Sequence, residues 1–184
     1  MKHRLFLTGP MGCGKTTAIL TAIGEMLPSF GGFLTRRIRD EQGRATAFSL
    51  CSPDGSREEI FLDHRSGQPE IRWTVFRQLA PELMAGTYLI LDEIGGVELL
   101  CPEFMAALDA LLASDIPLIG VLKGDTAANA MIRRLALSDE YEAAAAALRI
   151  RLSEDENTLL YTCGQFDPQA SELARSWVKE YVHG

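Results

Sequence analysis

The octapeptide Gly9-Pro10-Met11-Gly12-Cys13-Gly14-Lys15-Thr16 fits the pattern G-x-x-x-x-G-K-[ST] through Gly9, Gly14, Lys15 and Thr16. Its chemistry is phosphate binding. A loop that wraps a phosphate must turn its backbone N–H groups inward, and glycine permits both the dihedrals and the close approach. An apolar strand-like run, Leu5-Phe6-Leu7, precedes this P-loop, and a helical pattern follows. The helix N-terminus adds partial positive charge. Lys15 is expected to reach the β- and γ-phosphates, and the Thr16 hydroxyl to bind Mg²⁺. The nucleotide-binding stretch then runs from Gly9 to Thr17. Cys13, inside the loop beside Lys15, is expected either to favour the thiolate and react with thiol reagents unless nucleotide shields it, or to be an inert packed thiol.

The second chemical signal is Leu89-Ile90-Leu91-Asp92-Glu93, two acids at the end of a buried strand. Beside a P-loop, Asp92 is expected to hold Mg²⁺ through its water shell. Glu93 suits a base or an orienter for an attacking water, with Glu98 on the same turn as the next acid to consider. A phosphate-facing arginine is also expected, and Arg36, Arg37, Arg39, Arg133 and Arg134 are all candidates. Asp92-Glu93-Ile94-Gly95 also spells D-x-x-G, and Leu122-Lys123-Gly124-Asp125 approximates the guanine-reading N-K-x-D without its Asn. The missing Asn and the long separation of Thr16 from Asp92 count against a switch GTPase.

These residues need a scaffold. Ile19, Leu20, Ile23, Met26 and Leu27 recur at helical spacing up to Pro28. Gly31–Arg39, Ala45–Cys51 and Glu58–His64 read as strands joined by the turns Asp40–Gly43 and Ser52–Gly55, an antiparallel meander inserted early in the fold. Trp73–Met84 is helical in pattern but interrupted by Pro81, and Thr87–Leu91 is a buried strand. Pro102 opens a helix with Phe104, Met105, Leu108, Leu111 and Leu112 on one face, and Pro117–Leu122 is another buried strand. Residues 126–148 read as one or two helices, Arg149–Leu152 as a further strand, and Thr158–Cys163 is open. Asp167 caps a last amphipathic helix that starts at Pro168. Strands alternating with helices imply an α/β fold, a mostly parallel sheet with helices on both faces. With no linker-like stretch, residues 1–184 are expected to form a single domain.

Composition limits the function classes. A formal charge of −7 argues against a general nucleic-acid or anionic-membrane binder. Four scattered cysteines and three scattered histidines lack the spacing of a zinc site or disulfide framework and suit a reducing cytoplasm. No signal peptide or membrane span is expected.

The P-loop, Gly32-Phe33-Leu34-Thr35-Arg36-Arg37-Ile38-Arg39 and Leu91-Asp92-Glu93-Ile94-Gly95-Gly96-Val97-Glu98-Leu99 together resemble the cancer-related nucleoside-triphosphatase family over roughly residues 3–125. Its pattern in the last segment is close to D-E-I-G-K-M-E-L. Asp92, Glu93, Ile94, Gly95, Glu98 and Leu99 match it, whereas Gly96 and Val97 replace its Lys and Met. The family's hairpin arginine falls on Arg39, and Arg37 stands where an acid is usual. The resemblance implies a RecA-like P-loop NTPase fold and slow, Mg²⁺-dependent hydrolysis of several nucleoside triphosphates, ATP and GTP among them, to diphosphate and phosphate. Two rivals remain open: a nucleotide or small-molecule kinase whose hairpin grips an acceptor, and a GTP-regulated binding module. The sequence names no protein partner.

Overall fold

The computed structural model describes residues 2–125, 128–129, 131, 135, 137, 139–165 and 167–184. The strands are β1 (Arg4–Thr8), β2 (Gly31–Arg39), β3 (Ala45–Cys51), β4 (Glu58–Asp63), β5 (Glu70–Ile71), β6 (Leu89–Ile94), β7 (Leu118–Leu122) and β8 (Thr158–Thr162). The helices are α1 (Lys15–Ile23), α2 (Trp73–Leu79), α3 (Pro102–Leu112), α4 (Asp139–Glu154) and α5 (Pro168–Tyr181). The strands form one sheet in the order β5-β4-β3-β2-β6-β7-β1-β8. Neighbours from β2 through β8 run parallel, and β2-β3-β4-β5 run antiparallel.

The expected antiparallel meander is present and is continuous with the parallel sheet. Strand β2 is long enough to serve two neighbours: Gly31–Phe33 pair in parallel with β6, and Leu34–Arg39 pair antiparallel with β3. The antiparallel ribbon therefore extends the parallel sheet and overhangs its edge. Its first turn is set by Asp40, whose Oδ1 accepts the N–H groups of Gln42 and Arg44 at 3.0 and 2.9 Å.

Period-two alternation sorts the sheet's apolar residues onto two covered faces. Leu5, Leu7, Ile90, Ile119 and Val121 pack with Ile19 and Ile23 of α1 and with Trp177 and Val178 of α5. Phe6, Leu89, Leu91, Leu118 and Leu122 pack with Phe76 of α2, Phe104 and Leu108 of α3, and Tyr141 and Leu148 of α4. Helix α5 opens as its sequence implies, with Asp167 Oδ1 accepting the Gln169 N–H at 3.0 Å. The Trp177 indole N–H donates to the His3 carbonyl at 3.1 Å, tying the last helix to the chain just ahead of β1.

Two sequence expectations are corrected, over Ile19–Pro28 and Arg149–Leu152, and the expected interruption at Pro81 is found. Helix α1 stops at Ile23 rather than running to Pro28, because Gly24 takes φ 56°. The chain continues as a 3₁₀ turn, Gly24–Ser29, that contains Pro28 and leaves Met26 exposed. Helix α2 likewise ends before Pro81, which lies in a 3₁₀ turn over Ala80–Glu82. Arg149–Leu152 is the end of α4, not a strand. Its alternating residues mimic period two, but Leu148 and Leu152 face the core at i, i+4 while Ile150 is 54% exposed. Thr158–Thr162, left open by its sequence, pairs with β1 as β8.

Candidate active site

Strand β1 delivers the P-loop and α1 carries it away, so the loop sits at the C-terminal edge of the parallel strands. Gly9 has φ 127°, and a Cβ there would lie 2.5 Å from the Cys163 carbonyl oxygen. Gly14, at φ 95°, is the N-cap of α1. Neither position accepts another residue without strain. The Lys15 ammonium arches back over the loop, donating to the carbonyls of Gly9 at 3.0 Å and Pro10 at 2.7 Å. These contacts hold the side chain over the concavity that a phosphate would fill. Cys13 is buried among α1, Cys163 and α5, with its Sγ 3.5 Å from Lys15 Nζ.

The acids enter from β6. A regular strand would send Asp92 and Glu93 to opposite faces. Pairing with β7 shows why it does not: Leu91 opposes Gly120 and Ile94 opposes Leu122, so β6 spends one extra residue there. This bulge is sharpened at Glu93, whose φ of 67° is the one positive value among described non-glycine residues. Such backbone costs roughly 1–2 kcal/mol and is characteristically kept where a side chain must be aimed. Both acids consequently line one cavity of about 510 Å³ with Met11, Gly12, Gly14, Lys15, Thr16, Thr17 and Arg37. Gly9, Pro10 and Cys13 of the same loop do not line it.

Asp92 is almost fully buried, and its Oδ1 accepts the Thr16 hydroxyl at 2.8 Å. Burial, partly offset by that hydrogen bond and reinforced by neighbouring Glu93, pushes its pKa up to about 6. A hydroxyl and a desolvated carboxylate held together suit a hard divalent cation such as Mg²⁺. That ion typically takes one or two protein oxygens and completes its shell with phosphate and water. No cluster of three or more His, Cys, Asp or Glu residues, of the kind zinc prefers, occurs among the described residues.

Glu93 behaves oppositely. Burial raises its pKa, yet Lys123 and Arg37 together outweigh burial and hold it below the ordinary glutamate value. Arg37 Nη2 donates to Glu93 Oε1 at 2.8 Å, and Lys123 Nζ lies 3.6 Å from Oε2. Adjacent carboxyls are thus driven apart in acidity by their surroundings.

The arginine beside the acids is Arg37, at the position where the family pattern carries an acid. Arg36 also lines the cavity, but its guanidinium pairs with Glu58 at 3.3 Å, and Arg39 donates to the Gly43 carbonyl. Arg133 and Arg134 lie outside the described residues. Glu98 is not placed as a second catalytic acid: its buried Oε1 accepts the N–H groups of Gly95 and Gly96, each at 2.7 Å, and so locks the turn after β6. A Cβ at Gly96 would lie 2.6 Å from Glu98 Oε2 and 3.4 Å from Lys123 Cε. Lys123 thus brings an ammonium beside the position whose family lysine is missing. The guanine-reading analogy fails on the same residues, since Lys123 faces Glu93 and Asp125 pairs with Arg149 at 2.9 Å. Sequence reasoning had Lys123 in hand but in that other role, and no local signal joins it to Glu93.

A phosphate-cradling loop, a hydroxyl–carboxylate pair and an ionised glutamate held by two cations, on a mostly parallel sheet covered by helices, define a P-loop nucleoside-triphosphate-binding protein. A family model described as NTPase matches residues 4–148, and the chain belongs to that family of nucleoside-triphosphate hydrolases. The match runs beyond the region in which the resemblance is legible by eye. The chain is similar to nucleoside-triphosphatase THEP1 of Methanocaldococcus jannaschii, 31% identical over 133 residues that cover 65% of this chain and 77% of the relative. It is also similar to the mouse cancer-related nucleoside-triphosphatase homolog, 33% identical over 137 residues that cover 62% and 71% of the two chains. The crystal structure of THEP1 from Aquifex aeolicus shares the fold, with a TM-score of 0.61 at 15% identity over 97% of this chain and 98% of that one.

Proposed function

We propose that this chain is a Mg²⁺-dependent triphosphatase that splits nucleoside triphosphates into diphosphate and inorganic phosphate with loose base selectivity, working as one domain over residues 1–184. The observation that carries this reading is that Glu93 and its partner Arg37 line the same cavity as Lys15, Thr16 and Asp92, with Lys123 holding the other oxygen of Glu93. Thr16 and Asp92 would hold the Mg²⁺, which when bound offsets charge on the β- and γ-phosphate oxygens. Lys15 leaves the loop carbonyls for the same oxygens. Glu93 accepts a hydrogen bond from a water and aims its oxygen at the γ-phosphorus. As the new O–P bond forms, the bond from the γ-phosphorus to the β–γ bridging oxygen breaks, the diphosphate leaves, and both protons of the water end on the released phosphate. A glutamate with a lowered pKa is a weak proton acceptor, so its task is orientation, which suffices for a loose phosphoryl-transfer transition state. Arg37 can turn from Glu93 toward the charge that develops on the transferring group.

Two results test this. Phosphate release from ATP, GTP, CTP and UTP should vary by less than about 10³-fold in kcat/KM, because dedicated polar readout of one base is absent from the described site. A larger preference would revive the guanine-specific reading. Asp92→Asn should weaken Mg²⁺-dependent nucleotide binding as well as turnover. Unchanged binding across a Mg²⁺ titration would remove Asp92 from the metal site. The cellular setting proposed is cytoplasmic, on the strength of four free, buried cysteines. No helix among the described residues is long and apolar enough to cross a membrane.

A further inference from the structure

A second cavity, of about 290 Å³, adjoins the P-loop cavity at Met11 and Glu93 and is lined by residues of the antiparallel ribbon. One wall is aromatic: Phe33, Phe48, Phe61 and Phe76 all line it, with ring centroids 6.4 Å apart between Phe48 and Phe61 and 5.2 Å between Phe61 and Phe76. The other wall is the polar cluster of Arg37, Glu93 and Lys123. The cavity opens to solvent past Met11 and Arg39, and its apolar walls hold water poorly. The volume is near the lower end of small-molecule sites, and the mixture of rings with a few convergent polar groups is their usual lining.

Two features narrow the occupant. The wall of rings suits a flat aromatic body, which gains by offset or edge contacts with phenylalanine. Arg39 also lines the cavity, and its side chain is exposed. Among the described residues its guanidinium forms no salt bridge and donates only to the Gly43 carbonyl. It therefore has charge to offer one anionic group on a bound molecule. The cavity also shares Met11, Thr35, Arg37 and Glu93 with the P-loop cavity, so an occupant reaches the place where the attacking water must stand.

We propose that this cavity is a second ligand site for a small aromatic anion, and that its occupancy suppresses hydrolysis by displacing water from Glu93. The suppression rests on the triphosphatase reading; the binding does not.

The test titrates the full-length protein, with ADP and Mg²⁺ present to keep the P-loop cavity filled, with two fluorescent dyes. One is 1-anilinonaphthalene-8-sulfonate, and the other is N-phenyl-1-naphthylamine, which lacks the sulfonate. Both should bind saturably at one site. Ala45, a small residue of the lining, offers a way to fill the space. Ala45→Trp should weaken both dyes by at least about tenfold, the effect of overpacking a filled site. Arg39→Gln should weaken the sulfonated dye by about threefold, the scale of an exposed charge contact, and leave the neutral dye unchanged. In a separate assay with ATP, saturating sulfonated dye should lower phosphate release. Ala45→Leu replaces Ala45→Trp if circular dichroism shows that the larger residue prevents folding. Non-saturable binding, displacement by ADP, or equal affinity in the folded Ala45 variant overturns the site. Equal effects of Arg39→Gln on the two dyes overturn the anion preference. Undiminished phosphate release with the site filled overturns the suppression. Absence of phosphate release in dye-free protein would fail the triphosphatase reading instead, with the titrations still deciding the cavity.

Discussion

Glu93→Gln should lower kcat by about 10²-fold, the scale of losing the positioning of a reacting group, while nucleotide affinity stays equal or tightens. The substitution keeps the size of the side chain and one acceptor oxygen but deletes the charge that Arg37 and Lys123 hold in place. Freed from Glu93, those cations have more attraction to spare for a bound triphosphate. A fall in kcat with no rise in KM marks an interaction used in the transition state. Steady-state phosphate release beside nucleotide titration separates the two quantities. Near-normal kcat would refute the role, and Glu98 could not inherit it, because Gly95 and Gly96 already occupy its Oε1.

Lys15→Ala should reduce phosphate release to background and weaken triphosphate binding by about 10–100-fold, the scale of a lost charge-assisted hydrogen bond. The fold should survive. Lys15 is only partly buried, and its ammonium bonds to carbonyls of its own loop rather than to the core. Calorimetric nucleotide titration and thermal unfolding monitored by circular dichroism check both halves. A folded variant with wild-type affinity and rate would disprove phosphate binding by this loop.

Much of this architecture is legible in the chain itself. Strands β2 and β3 have the boundaries their residues imply, because polar turns punctuate them and a sheet edge rewards alternation. The P-loop is legible because its physics demands particular residues at fixed spacing. The bulge at Glu93 is not, since a positive φ on a glutamate leaves no mark in composition or period. Without it the two acids read as successive residues at a strand's open end, when in fact they lie inside β6 and share one face. The partners of Glu93 come from distant strands: Arg37 from β2 and Lys123 from the end of β7. Such pairings belong to tertiary structure, which is why the sequence offers a group of arginines rather than one. The two-residue strand β5 and the helical end of α4 were hidden for a related reason. Short segments take their form from what they pack against, as Leu148 and Leu152 do.

In the proposed reaction, water placed by Glu93 in front of the P-loop attacks the γ-phosphorus of a bound triphosphate. Turnover of ATP with Mg²⁺ in ¹⁸O-enriched water, with products read by mass spectrometry, tests it most directly. One solvent oxygen should appear in each inorganic phosphate released and none in ADP, with label incorporation falling in step with rate in Glu93→Gln. Solvent oxygen in the nucleotide product, or no labelled phosphate in the absence of an added acceptor, would contradict it.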